Sequence, residues 1–473
     1  MTGAVAVRNQ PAPGTPLAVC ADVGSTYTKV AVVDLAAGAL VATAAHPTTV
    51  GTDVLHGLDA AVEALAERLP GHDLSNRYVC SSAGGGLRLA VVGYEALVSA
   101  EAAHRVATSA GARVVHVAAG RLDAAATAAL RAATPDVVLL VGGTDGGDAE
   151  TVRHNGARLA AARLRVPVVV AGNADARDDV TAALAAKGVP VVATGNVLPR
   201  IGVLAPGPAR AAIREVFLRH VIGGKGLSRG RRFAGLVRAA TPDAVLAGVE
   251  LLAGAGAGAD SGAGAGDFAV VDVGGATTDV YSVITPDAER TSGPAREVAG
   301  VLWRSRTVEG DLGVRWSAPG VVAAARAEKL IADAEAETLA AAADARAAEP
   351  GMVADDPAVD LRLAGLAATI AVRRHARGEP GAPGAPRRGG KDLSRVRVLI
   401  GSGGVLRYAP PAVSGAVLGA VLADHEGGWR LPTAAVPRVD RSYVLAAIGL
   451  LATDFPAAAV AVGRRELHGQ SAP

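Results

Sequence analysis

Twice along this chain an apolar run ends on an aspartate, turns through glycine and resumes in hydroxyl-bearing residues. The first copy reads Asp22-Val23-Gly24-Ser25-Thr26-Tyr27-Thr28-Lys29 and follows the run Leu17–Val23. The second reads Asp272-Val273-Gly274-Gly275-Ala276-Thr277-Thr278-Asp279 and follows Phe268–Val273. Apolar residues without helical spacing, broken by glycine and followed by Thr- and Val-rich residues, predict a strand, a tight turn and a returning strand. One such turn is an ordinary hairpin. Two in one chain predict a fold that uses the same half-domain twice.

The chemistry of these turns fits phosphate. Glycines let backbone N–H groups approach anionic oxygens and form a concave donor surface. The hydroxyls of Ser25, Thr26, Thr28, Thr277 and Thr278 add donors. An aspartate beside a phosphate needs a cation between the two, and Mg2+ takes few carboxylates while keeping several waters. A third glycine turn, Gly401-Ser402-Gly403-Gly404, follows the strand-like run Val396–Ile400. Glycine there lets a purine and ribose lie against backbone.

Composition narrows the class. A length of 473 residues leaves room for about three domains. A net charge of +2 gives no field for nucleic acid or an anionic membrane. Aromatic residues make up 3%, which argues against base-stacking platforms. Ala and Val supply most of the apolar content and suit closely layered β/α structure. Cys20 and Cys80 each lie in an apolar run and read as buried thiols, not a disulfide framework. Without a Cys-x-x-Cys or His/Cys cluster, zinc and iron–sulfur sites are not expected. No apolar leader opens the chain and no run of about 18 apolar residues follows, so a cytoplasmic protein is expected.

The pass along the chain predicts an α/β protein. Residues 1–15 read as a flexible lead. Strands at Leu17–Val23, Thr28–Leu35 and Ala39–Ala45, a helix over Val54–Leu69 and a strand at Arg77–Ser82 describe a ribonuclease-H-like lobe over 16–110. Short Val-rich runs alternating with Ala-rich stretches over 111–205 predict an inserted Rossmann-like subdomain with a parallel sheet. Residues 206–252 read as a helical part of the first lobe and 253–266 as a Gly/Ala linker. Residues 267–463 form the second lobe, with one helical stretch at Ala323–Glu349 and a disordered loop at 376–391. Residues 464–473 read as a flexible end.

The order of turns, two for phosphate and one for adenosine, resembles the actin/Hsp70/sugar-kinase ATPase superfamily. Asp272-x-Gly274-Gly275-x-Thr277-x-Asp279 is similar to the second phosphate motif of the Hsp70 and FtsA-like branches. That fold implies two helices crossing between the lobes through small residues. The candidates are Ala244–Gly254, with Ala247 and Gly248, and Tyr443–Leu451, with Ala446, Ala447 and Gly449. Over nearly its whole length the chain resembles the glutamate mutase accessory family of the MutL/GlmL type, which is unrelated to the mismatch-repair protein of the same name. The likeness rests on Asp22–Lys29, Gly142–Asp148, Val170–Asn173, Gly195–Ile201, Asp272–Asp279, Arg306–Gly313, Gly401–Val405 and Tyr443–Leu451.

This resemblance implies an ATP- and Mg2+-dependent partner of an adenosylcobalamin-dependent mutase that interconverts glutamate and methylaspartate. The implied role is chaperone-like, releasing damaged cobalamin so that the mutase is reactivated. Asp22 and Asp272 would hold hydrated Mg2+ from opposite lobes, with Asp272 orienting the attacking water. Asp279 would complete the metal shell, and Lys29 would reach the β- and γ-phosphates. Catalysis would be positioning and charge neutralisation.

Other readings stay open on the residues alone. A small-molecule kinase of the same superfamily needs a base aimed at a substrate hydroxyl; no clear candidate stands near the first lobe, and Asp145 stays open. An FtsA/actin-like scaffold needs no catalysis. A dehydratase activase would hold an iron–sulfur cluster through cysteine, which Cys20 and Cys80, both in strand-like runs, do not suit. Within Gly142–Asp148, Asp145 either meets a ligand or, like Asp148, caps a helix. Arg306, Glu309 and Asp311 read as a solvated loop or, alternatively, as a partner-docking or lobe-closing segment, and Arg229, Arg231 and Arg232 as a solvated face.

Overall fold

A computed structural model describes residues 5–83, 87–95, 112–217, 226–256, 267–284, 304–352, 357–378 and 390–468, with Ala103, Val106, Ala107 and Arg219 between them. Strands β1 (Val5–Val7), β2 (Leu17–Val23), β3 (Tyr27–Asp34), β4 (Ala39–Pro47) and β5 (Arg77–Ser81) belong to one sheet. Strands β6 (Arg88–Gly93), β7 (Arg113–Ala119), β8 (Val137–Leu140), β9 (Val168–Val170) and β10 (Val191–Ala193) form a second. Strand β11 (Val237–Ala240) returns to the first. Strands β12 (Asp267–Val273), β13 (Thr278–Val283), β14 (Arg304–Glu309), β15 (Val396–Ser402) and β16 (Val436–Val439) form the third.

The first sheet runs β1-β4-β3-β2-β5-β11 and the third runs β14-β13-β12-β15-β16. Leaving out the edge strand β1, the two are the same design. Each has an antiparallel meander, then a strand parallel to the first strand of the meander, then another parallel to that. The ribonuclease-H-like half-domain is therefore made twice.

Why β2 and β12 read as unbroken apolar runs is now plain: both faces of each are covered. Successive strand residues point to opposite faces, so each strand feeds two cores. Leu17, Val19 and Ala21 pack with the Val54–Ala66 helix, and Ala269, Val271 and Val273 pack with the Ala358–Arg377 helix. The alternate residues Ala18, Cys20, Phe268 and Val270 share one further core between the lobes. The helices Thr241–Gly256 and Leu445–Leu451 cross in that core. A Cβ on Gly248 would come 2.6 Å from the Leu445 carbonyl oxygen, and one on Gly449 would collide with the Ala244 carbonyl. Glycine is thus what lets the two backbones touch.

The inserted sheet runs β10-β9-β8-β6-β7 and is parallel throughout. Strand β6 corrects the boundary at 110. Arg88–Gly93 lies parallel between β7 and β8, so the insertion begins with β6. Other boundaries shift as well. Strand β1 pairs with β4 within the expected flexible lead. Strand β11 lies within the stretch read as helical. Ala323–Glu349 is two helices, Ala318–Ala327 and Asp333–Ala348, separated near Lys329 at φ 56°. The final turn Arg464–His468 buries Leu467. The crossing helix runs on to Gly256, and the rest of the Gly/Ala tract lies outside the described residues. So does the centre of the 376–391 loop, whose ends meet where the Lys391 N–H donates to the Ala376 carbonyl at 2.9 Å.

Candidate functional site

The two motif turns close alike. The Gly24 N–H donates to the Tyr27 carbonyl at 3.1 Å, and the Gly274 N–H to the Thr277 carbonyl at 2.9 Å. In both turns a Cβ on the glycine would sit 2.8 Å from that same carbonyl oxygen, closer than a side chain tolerates. Ser25, Thr26, Tyr27 and Ala276 are exposed, with Gly275 and Thr277 partly so. Thr28 and Thr278 correct the expectation of free donors. Thr28 is buried with its Oγ1 3.1 Å from Thr48 Oγ1, and the buried Thr278 hydroxyl donates to the Leu312 carbonyl. The exposed face keeps the backbone N–H groups and the Ser25, Thr26 and Thr277 side chains.

The third turn abuts the second. On β15, Gly401 lies in register with Val271 and Ser402 with Asp272, which sets the Ser402 side chain where it favours the ionised Asp272 carboxyl. Gly403 has φ 103°, in the region that favours glycine, and a Cβ there would strike the Val273 carbonyl. Gly404 is exposed and opens the short helix Gly404–Tyr408.

Each hairpin pairs its aspartate with the residue seven positions on, Asp22 with Lys29 and Asp272 with Asp279. Asp22 is 4% exposed and fully engaged. Its Oδ1 accepts from the Thr241 hydroxyl and lies 3.7 Å from the Cys80 thiol. Its Oδ2 accepts from the Tyr443 hydroxyl at 3.1 Å and lies 4.0 Å from Lys29 Nζ. The Lys29 ammonium stands 3.4 Å above the centre of the Tyr443 ring, a cation–π contact. Burial lowers the Lys29 pKa, against the pull of Asp22 and Asp272. Burial lifts Asp272 to about 6, Asp279 and Asp22 add to the rise, and Lys29 and the Ser402 side chain oppose it.

Asp279 does not stand free for a metal. Arg306 on β14 donates to its Oδ1 at 3.0 Å, both side chains being largely buried. Among the described residues no group of three His, Cys, Asp or Glu side chains is gathered to hold a metal, so a three-carboxylate shell is not formed here. Asp22 and Asp272 remain as two carboxylates that feel each other's charge, and burial disfavours the anion of Asp272. A hydrated Mg2+ matches such a pair in charge and asks for few carboxylates, and to meet Asp22 it would have to displace one of the four groups that face that carboxylate.

The loop read as solvated is instead built onto the second turn. The Val314 and Arg315 N–H groups donate to the Gly274 and Gly275 carbonyls at 3.0 and 2.8 Å, and the Ser317 hydroxyl donates to the Ala276 carbonyl at 2.8 Å. Arg374 holds Glu309 at 2.8 Å and Asp311 at 2.7 Å. Arg306 and Tyr443 are the residues whose contacts single-residue reading missed. A carboxylate at Asp279 within an apolar strand was the available signal that a buried cation had to face it. In the insertion, Asp145 accepts from the Ala174 N–H at 3.0 Å and from Asn196 at 2.9 Å, and Asp148 accepts from the Glu150 N–H at 3.2 Å. Both are helix-capping contacts. Arg232 pairs with Asp59 at 2.6 Å from the surface. Cys20 and Cys80 are both buried, and burial pushes the Cys20 thiol up to about 12.

No helix among the described residues is long and apolar enough to cross a membrane. Among solved structures, this chain is similar to the ATP-dependent caprolactamase from Pseudomonas jessenii, with 14% identity and a TM-score of 0.37 over 93% of this chain and 71% of that one. It is also similar to the xylulose kinase from Bifidobacterium adolescentis, with 13% identity and a TM-score of 0.32 over 97% and 95%. At such scores the fold rests on the strand orders alone. Protein MutL of Clostridium tetanomorphum is 35% identical over 462 residues, 94% of this chain and 98% of that protein. The model of the MutL protein family matches residues 18–467, and with both Asp-x-Gly turns, the third glycine turn and the crossing helices inside that span, the chain belongs to the MutL family that its motifs resemble.

Proposed function

We propose that this chain is an ATP- and Mg2+-dependent accessory protein of an adenosylcobalamin-dependent glutamate mutase, and that ATP hydrolysis drives release of damaged cobalamin from the mutase. Family membership supports the accessory role. The observation that carries the nucleotide reading is the matched pair of turns, with Asp22 and Asp272 at the ends of β2 and β12 and the third turn beside Asp272.

In this reading the backbone N–H groups and hydroxyls at Ser25–Tyr27 and Gly275–Thr277 receive the phosphates. Asp22 and Asp272 hold the hydrated Mg2+, which, when bound, neutralises charge on the transferring phosphoryl group. Asp272 orients the attacking water by accepting its hydrogen bond. Gly403 and Gly404 leave room for adenosine against backbone. Lys29 turns from Asp22 toward the phosphates.

The test is reconstitution with a glutamate mutase carrying cyanocobalamin. The expected result is co-purification with the mutase subunits and cobalamin release that requires hydrolysable ATP and Mg2+. Absence of both overturns the accessory reading. Phosphate transfer to a sugar or small acid, with no response to the mutase, would instead establish a kinase.

A further inference from the structure

A carboxylate offers roughly four lone-pair positions, and protein groups face all of those on Asp22. Thr241 and Cys80 face Oδ1, while Tyr443 and Lys29 face Oδ2. Three of these belong to the first lobe. Tyr443 alone reaches across from the second, directly before the crossing helix Leu445–Leu451. The position at which a cation would meet Oδ2 is taken by its hydroxyl.

Two further observations bear on this contact. Tyr443 has φ 55°, a backbone conformation uncommon for an aromatic residue and held only where surroundings enforce it. The helix it precedes does not depend on it, because the Asp440 carboxylate accepts from the Val444 and Leu445 N–H groups at 2.9 and 3.0 Å. The ring also carries the Lys29 ammonium at 3.4 Å, with the Arg407 guanidinium 5.9 Å from its centre on the second lobe. The one side chain therefore occupies the aspartate, parks the lysine and ties the lobes together.

We infer that Tyr443 is an inter-lobe latch that competes with Mg2+-nucleotide for Asp22. With the cation at Asp22, the Tyr443 hydroxyl would leave Oδ2, Lys29 would come off the ring and the lobes would lose this tie. The cation half of the inference rests on the function proposed above; the latch itself rests on the contacts.

The test substitutes Tyr443→Phe, which keeps the ring beneath Lys29 and removes only the hydroxyl. Mg·ADP is expected to bind about 3- to 10-fold more tightly, the worth of one hydrogen bond. In nucleotide-free protein, amide hydrogen exchange across 443–451 is expected to quicken while that of the inserted sheet stays unchanged. Thr241→Val removes a hydroxyl from the same carboxylate within the first lobe and is expected to leave exchange across 443–451 as it was. Unchanged or weaker Mg·ADP binding by Tyr443→Phe, unchanged exchange, or equal loosening by Thr241→Val each overturns the latch. Wild-type protein that binds no Mg·ADP overturns the nucleotide reading instead, and the exchange comparison still decides the latch.

Discussion

Lys29 holds in the first hairpin the place that Asp279 holds in the second, each lying in register opposite the aspartate that ends its inner strand. The repeated fold thus carries opposite charges at matched positions. In the first lobe the aspartate has its own cation. In the second, two carboxylates face each other and the positive charge comes from Arg306 on the neighbouring strand, 3.0 Å from Asp279. Asp272 has no such partner of its own: burial lifts its carboxyl to about 6, with the Lys29 ammonium and the Ser402 side chain opposing the rise.

Replacing Asp272 with Asn should lower ATP turnover about 100-fold or more, since it removes the charge that holds the cation and orients water. The fold should survive, because burial already disfavours the anion there. Phosphate release measured beside unfolding midpoints checks this, and undiminished turnover would sink the metal assignment.

Mg·ADP affinity should weaken as pH falls through about 6, the value to which burial lifts Asp272. Cation binding needs the ionised carboxyl, so affinity is flat well above that pH. Below it, each further unit costs up to about tenfold, or about 1.4 kcal/mol. Titrations between pH 5 and 8 test it, read against the protonation of the ADP phosphate itself near about pH 6, and the slope beyond that background should vanish in Asp272→Asn.

Arg306→Met should destabilise the protein by about 3–5 kcal/mol, because it strands the Asp279 carboxylate in a largely buried site. Adding Asp279→Asn should recover much of the loss. Unfolding of the two single variants and the double variant measures the coupling. Asp279→Asn alone should leave Mg2+ affinity close to wild type, and loss of Mg2+ binding would instead return Asp279 to the metal.

Gly449→Ala should cost about 3 kcal/mol, since its Cβ meets the Ala244 carbonyl and the crossing helices must separate. Gly254→Ala is the contrast. It lies exposed in the same helix pair with nothing within 4 Å of a new Cβ, and alanine there should stabilise by about 0.5–1 kcal/mol. Urea unfolding of both variants separates close packing from helix propensity.

Much of this arrangement is written locally. The hairpins of β2–β3 and β12–β13, the glycine turns and the small residues of the crossing helices are legible because period, turn chemistry and side-chain size act over a few residues. The inserted parallel sheet shows through its alternating Val-rich and Ala-rich runs, yet Arg88–Gly93 carries nothing to say which sheet it joins. Strand pairing decides that, and it depends on β7 and β8 being near.

Read alone, the sequence determined the repeated half-domain and the aspartates at its turns, because an apolar strand ending in Asp-x-Gly has few ways to fold. Only the tertiary structure decided how those aspartates are satisfied. It turned Thr28 and Thr278 inward, gave Asp279 to Arg306, and brought Tyr443 to Asp22 across 421 positions of chain. A buried charge takes its partner from whatever the packed lobes bring within hydrogen-bond reach, and that distance is not encoded in any short stretch of residues.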